Sequence, residues 1–242
     1  QDAFGQHIAS SGRFDDQYIA HTSQAELDDA VIDYYANILM PFGQLIKAKI
    51  AELGELGLEI GMIAPDHGII WRSDPKRVLS LYQGMAGGKA ELSATIIYDT
   101  MWQSTALMAN PIAAGIMDEG ITCEIVKLRA TPMSAAIKKF WKSRGTLIGG
   151  PTLNNIMYPT VAEFLTHLRG LRPKNRLVGA FGSYGWGGGA VKEAYEECKR
   201  MGLEIFEPGM QLLYRPSPED ETACYNFGRE FAKRLKEYHA TI

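Results

Sequence analysis

From residue 94 onward, short apolar runs alternate five times with helical patterns, and few architectures accommodate that rhythm. Strands are expected near 94–98, 122–128, 146–149, 177–181 and 203–206, and helices near 104–119, 135–143, 160–168, 190–201 and 219–238. Repeated βα units of this length argue for an α/β domain built on a doubly wound, parallel, five-stranded sheet. Right-handed crossovers then bring the loops that follow the strands to one edge, where ligands of such sheets bind. With 46% hydrophobic and 22% charged residues over 242 positions, there is enough apolar material for a sizeable core.

The first ninety residues read differently. Ser23-Gln24-Ala25-Glu26 has the form of a capping box, and Leu27, Val31, Tyr34, Tyr35, Ile38 and Leu39 follow at helical spacing. Pro41 suits the first turn of a second helix, with Phe42, Leu45, Ile46, Ile50 and Leu53 on its buried face. A short strand is expected at 58–64, and Asp74-Pro75 has the form of the cap and first turn of a further helix. The glycine-rich stretch at 84–89 is the expected joint, giving domains of 1–88 and 89–242.

Bulk properties exclude several partners. A net charge of −3 gives no reason to expect nucleic acid or an anionic membrane. No apolar run approaches the roughly 18 residues that a membrane helix needs. Three scattered cysteines without a CxxC pair read as reduced thiols, which points to a cytoplasmic setting.

Three loops on the ligand edge carry chemistry. Thr100, Met101, Trp102, Gln103, Ser104 and Thr105 gather hydroxyls and backbone N–H groups at a helix start, a ready anion site, though a plain N-cap is the competing account. Without a lysine in this loop, a nucleoside triphosphate is not expected. Pro151, Thr152, Leu153, Asn154 and Asn155 place two amides where they can meet a polar ring edge, or simply form a polar turn. Ser183, Tyr184, Gly185, Trp186, Gly187 and Gly188 combine flat aromatic surfaces with backbone open to close approach. Gly185, Gly187 and Ala190 also fit the GxGxxA dinucleotide fingerprint, but after the fourth strand and not in the first βα turn. Together the loops point to flavin mononucleotide (FMN). Residues 92–240 resemble a flavodoxin-like domain, in which 100–105 would be the phosphate loop. By that resemblance 152–155 and 183–188 would border the isoalloxazine, with Trp102 and Trp186 as ring contacts.

The resemblance extends further. QDAFGQH, IAPDHGIIWR, YDTMWQST, GGPTLNN and LRPKNRLVGAFGSYGWGGGAVK occur in this order, and together they resemble the C-terminal part of a flavodiiron protein. In that family, also called A-type flavoproteins and including rubredoxin:oxygen oxidoreductase, a metallo-β-lactamase-like αββα domain holding two irons precedes the flavin domain. The resemblance implies that residues 1–88 are the end of such a domain, with Asp2 bridging the irons and His67 a terminal ligand. Asp66 stands where the family often has serine. The family's HxExDH motif is absent, so the chain is expected to be part of a longer protein whose remaining ligands lie N-terminal to Asp2.

The implied activity is reduction of O2 to water, of NO to N2O, or both. FMN would relay electrons from an external donor such as rubredoxin, another reductase or a deazaflavin. A head-to-tail homodimer is also implied. Two other classes stay open: a free-standing flavodoxin-like FMN electron carrier, which would use only 92–240, and an NAD(P)-binding module using 185–190.

Overall fold

The computed structural model describes residues 2–242 and divides into two compact units, one ending at Lys89 and the other Ala90–Ile242. The first unit contains α1 (Asp15–Ile19), α2 (Gln24–Tyr34), α3 (Gly43–Glu55) and α4 (Pro75–Ala86). Ser23 caps α2 by accepting the Glu26 N–H at 3.1 Å, and Asp74 caps α4 through the Arg77 N–H. Between α2 and α3 the helical path widens into a π turn, Tyr35–Leu39, and then tightens into a 3-10 turn, Met40–Phe42. Pro41 therefore sits in that tight turn and not at the first turn of α3. Backbone bonds from Gly88 to Met85 and from Lys89 to Gly84 close the end of α4.

Two expectations for this unit fail. Residues 58–62 have no regular structure, and Ile63 makes only an isolated bridge to Trp71. An apolar run becomes a strand only where a partner completes its ladder, and among the described residues no strand lies beside this one. The apolar stripe of α3 is also largely uncovered. Of its expected buried residues only Ile46 is buried, while Phe42 and Leu45 are exposed. Ala3 and Phe4 cover the stripe in part, leaving a groove of about 430 Å³.

The second unit runs β1 (Glu91–Tyr98), α5 (Ser104–Asp118), β2 (Thr122–Lys127), α6 (Met133–Lys142) and β3 (Ser143–Gly149). A small hairpin follows, β4 (Thr152–Leu153) and β5 (Ile156–Met157), and then α7 (Pro159–Leu171), β6 (Leu177–Tyr184) and α8 (Ala190–Arg200). The unit ends with β7 (Glu204–Ile205), β8 (Met210–Leu213) and α9 (Pro218–Ala240). The main sheet is parallel throughout, in the order β2-β1-β3-β6-β7, with β8 also paired to β6.

Two boundaries shift relative to the sequence reading. Strand β3 begins at Ser143, directly after α6, and the Ser143 hydroxyl bonds that of Thr95 at 2.6 Å. The last edge position is shared: β7 pairs with Leu177–Val178, whereas β8 pairs with 181–184 further along β6. Pro208, which lacks an N–H, lies in the break between them. Periodicity missed the strand at 210–213 and both short strands of the β4–β5 hairpin.

Alternation along β1 explains the layers. Ala94, Ile96 and Tyr98 face α5 and α9, where they join Met108, Ile112, Leu147, Phe181, Phe231 and Leu235 in one core. Helices α6 and α8 pack on the other face, and with both faces covered β3 is buried along its whole length. Helices α5 and α9 approach through reciprocal glycine notches. A Cβ on Gly115 would lie 2.0 Å from the Tyr225 carbonyl oxygen, and one on Gly228 would lie 2.1 Å from that of Ile112.

Gly228→Ala should therefore destabilise the second unit by about 1–3 kcal/mol, read as a lower urea midpoint. Gly170→Ala in α7, where the added methyl meets nothing within 4 Å, should instead stabilise by about 0.5–1 kcal/mol. In the first unit, burial works to raise the pKa of Asp15. Hydrogen bonds from the Ser73 hydroxyl and from the Arg72 and Ser73 N–H groups outweigh burial and hold it below the ordinary 3.8. This contribution is present above pH 3.8 and is lost as pH falls through the depressed folded value. Asp15→Asn should remove that acid-side dependence, measured as unfolding midpoint against pH.

Candidate functional site

The loops after β1, β3 and β6 leave the carboxyl edge of the parallel sheet and border one cleft of about 650 Å³. The connection after β1 leads one way, to β2, and that after β3 leads the other way, to β6, so the crevice opens between β1 and β3 at that switch point.

In the first loop, Thr100, Met101, Trp102 and Ser104 line the cleft. Thr100 is only 2% exposed, and its buried Oγ1 has no hydrogen-bond partner. Gln103, in a left-handed conformation (φ 70°), is the N-cap of α5 but gives no side-chain cap. The first N–H groups of this 15-residue helix are thus left without a capping side chain, beside an orphaned hydroxyl. Trp102 is 81% exposed at the rim. Thr105 lies outside the lining: it is fully buried, its hydroxyl 3.5 Å from that of Ser183.

In the second loop, Asn154 and Asn155 sit at positive φ (51° and 63°) and form the two-residue turn of the β4–β5 hairpin. Pro151, Leu153 and both asparagines line the cleft, as does Thr152. The Thr152 hydroxyl, however, is already engaged, accepting the Gly189 and Ala190 N–H groups at 3.3 Å and so capping α8 from another loop. The hairpin and the glycine loop are in close contact, because a Cβ on Gly189 would lie 2.1 Å from the Asn155 carbonyl oxygen.

In the third loop, Ser183, Tyr184, Gly185, Trp186 and Gly187 line the cleft, and Gly188 does not. Trp186 is fully exposed. Tyr214 and Arg215, which follow β8, complete the wall. They were not legible beforehand, since β8 itself was missed. Asp99 was also missed: it is wholly buried at the end of β1, accepting from the Thr100 N–H and the Thr160 hydroxyl (both 2.7 Å) and from Arg129 Nε at 3.3 Å. The charge of Asp99 shifts the Arg129 guanidinium further toward its protonated form. The only advance signal was an acid directly after an apolar strand.

An anion-ready helix start, an orphaned hydroxyl, polar amides and exposed indoles fit a phosphorylated aromatic ligand such as FMN. The cleft's apolar, aromatic walls suit a ring system.

In the first unit, Asp2 Oδ1 lies 3.1 Å from His67 Nδ1, and the Tyr34 hydroxyl is 3.2 Å from that nitrogen and 3.5 Å from the carboxylate oxygen. Buried Gln6 holds the two segments together. It donates to the Ile69 carbonyl at 3.1 Å and accepts the Ile69 N–H at 2.7 Å, while its own N–H meets the His67 carbonyl. A carboxylate and an imidazole suit iron. Among the described residues, however, no three His, Cys, Asp or Glu side chains converge, so this pair alone does not form a two-iron centre.

The family model for flavodoxin matches residues 96–228. The chain is 45% identical over 237 residues to a nitric oxide reductase of Moorella thermoacetica, a match covering 98% of this chain and 58% of that protein. Rubredoxin oxygen:oxidoreductase from Desulfovibrio gigas superposes with a TM-score of 0.93 at 34% identity, covering 99% of this chain and 59% of that one. The flavodiiron protein from Giardia intestinalis superposes with a TM-score of 0.88 at 27% identity, covering 98% and 58%. The chain therefore spans less than two thirds of the length of these relatives.

Removing the interloop cap should have a local cost. Thr152→Val should destabilise by about 1 kcal/mol and speed amide exchange at Gly189 and Ala190, whereas Thr152→Ser should do neither.

Proposed function

The chain belongs to the flavodoxin family, and from that premise we propose that it forms the FMN-binding part of an oxidoreductase that reduces NO, O2 or both. The observation that carries this reading is the cleft. Thr100, with its buried unpaired hydroxyl, and the uncapped start of α5 would hold the phosphate. Asn154 and Asn155 would meet the polar edge of the ring, and Trp102 and Trp186 would cover its faces. Met101, Leu153, Tyr184, Gly185 and Gly187 would shape the approach, whereas Gln103 and Gly188 lie outside the lining. Bound FMN would supply one- and two-electron transfer between an external donor and the site of gas reduction.

The similarity to nitric oxide reductase, rubredoxin oxygen:oxidoreductase and a flavodiiron protein supports the wider reading. In it Asp2 and His67 contribute to a two-iron centre whose other ligands come from outside residues 2–242. Tyr34 and Gln6 would orient this pair through the contacts described above. A division into an iron-site part (1–88) and a flavin part (89–242), a head-to-tail homodimer, a separate electron donor and a cytoplasmic setting belong to the same proposal. No described helix is long and apolar enough to cross a membrane.

Two measurements test the proposal. Adding FMN to the purified chain should give stoichiometric binding with flavin absorption bands, while NAD(P)H should not compete for the site; no binding of FMN would overturn it. In a protein that unites this chain with the remaining iron ligands, His67→Ala should abolish gas reduction and leave FMN content unchanged. A free-standing electron carrier would be indifferent to that substitution.

A further inference from the structure

Beneath the cleft, the buried carboxylate of Asp99 sits where negative charge is least expected, next to the loop proposed to hold a phosphate. A buried unpaired carboxylate is costly and would repel an anion. Here Arg129, whose side chain is half exposed, closes against it from the turn after β2. The pair grips one residue by both its backbone polar groups. Asp99 accepts the Thr100 N–H at 2.7 Å, while Arg129 Nη2 donates to the Thr100 carbonyl at 3.4 Å. The same two side chains reach the start of α7, where the Thr160 hydroxyl donates to Asp99 at 2.7 Å and Arg129 Nη2 donates to the Tyr158 hydroxyl at 2.5 Å. Asp99 also stays in the sheet, its own N–H bonding the Gly149 carbonyl at 3.1 Å.

Thr100 is the residue whose hydroxyl is buried, unpartnered and in the lining of the cleft. We propose that Asp99 and Arg129 are a positioning pair that aims Thr100 and its loop at the phosphate group of the bound flavin, an inference that rests on the flavin reading above. Neither residue touches the ligand in this account. Asp99 fixes the loop to the sheet and to α7. Arg129 neutralises Asp99, so that the α5 start retains its attraction for an anion.

Titration of the full chain with FMN and with riboflavin, which shares the ring but lacks the phosphate, separates this role from a merely structural one. Wild type should prefer FMN. Asp99→Asn and Arg129→Gln should each cut that preference about tenfold, the worth of one charge-assisted hydrogen bond, while leaving riboflavin affinity within about threefold. Thr160→Val, which keeps the ion pair, should produce a smaller loss of preference, and Arg129→Lys should rescue part of it. Should Asp99→Asn fail to fold, the Arg129 and Thr160 variants still decide the matter. Equal weakening of both ligands, or an unchanged preference in the variants, would overturn the positioning role while leaving FMN binding intact. A wild-type chain that binds neither ligand overturns the flavin reading itself.

Discussion

The parallel pair of β1 and β3 is a parting of ways: the crossover after β1 leads to β2 on one side, and that after β3 leads to β6 on the other. Parallel pairing also requires every strand to end at the same edge. The loops after β1, β3 and β6 are therefore neighbours in space although about 30 to 80 residues apart in sequence, and the cleft is a consequence of strand order. The two-faced core under β1 and β3 holds that edge still, with α5 and α9 drawn close by the facing notches at Gly115 and Gly228. A bulkier residue at either notch would push α5, and with it the end of the loop that follows β1, away from α9.

The electrostatics of the cleft follow from the same arrangement. The start of α5 offers N–H groups that no side chain caps, and the loop ahead of it is tied down from beneath by a buried acid. A carboxylate in that place is tolerable only because Arg129 and the Thr160 hydroxyl answer it. Loops are ordinarily the mobile part of such a fold. Here side chains carry the bracing: Thr152 caps α8, Glu193 accepts the Met157 N–H at 2.7 Å, and Asp99 joins three segments. The cleft is thereby shaped in advance of any ligand.

The first unit shows a different economy of contacts. Ser23 and Asp74 cap α2 and α4, but much of the apolar stripe of α3 faces outward and the run at 58–64 finds no sheet. What it organises closely is the meeting of two distant segments, around Asp2 and His67, through one fully buried glutamine. A buried amide that satisfies both its donor and its acceptor fixes the register of those segments better than apolar packing would.

Local information in the sequence determined much of this protein. The alternation of apolar runs and helical stripes specified the parallel α/β unit, and Ser23 and Asp74 marked their helices. The three loaded loops were legible because their residue types are unusual together. Periodicity could not supply partners. It read a strand at 58–64 where no ladder exists, and it overlooked 210–213, whose pairing depends on the uncovered half of β6. Residue types placed Thr152 at a ligand edge without revealing the helix start that already engages its hydroxyl. Asp99, Arg129, Tyr158 and Thr160 are unremarkable one by one, and only the tertiary structure decided their roles. The physical reason is that periodicity and capping act over a few residues, whereas a buried charge is made tolerable by groups that the chain brings together only when folded.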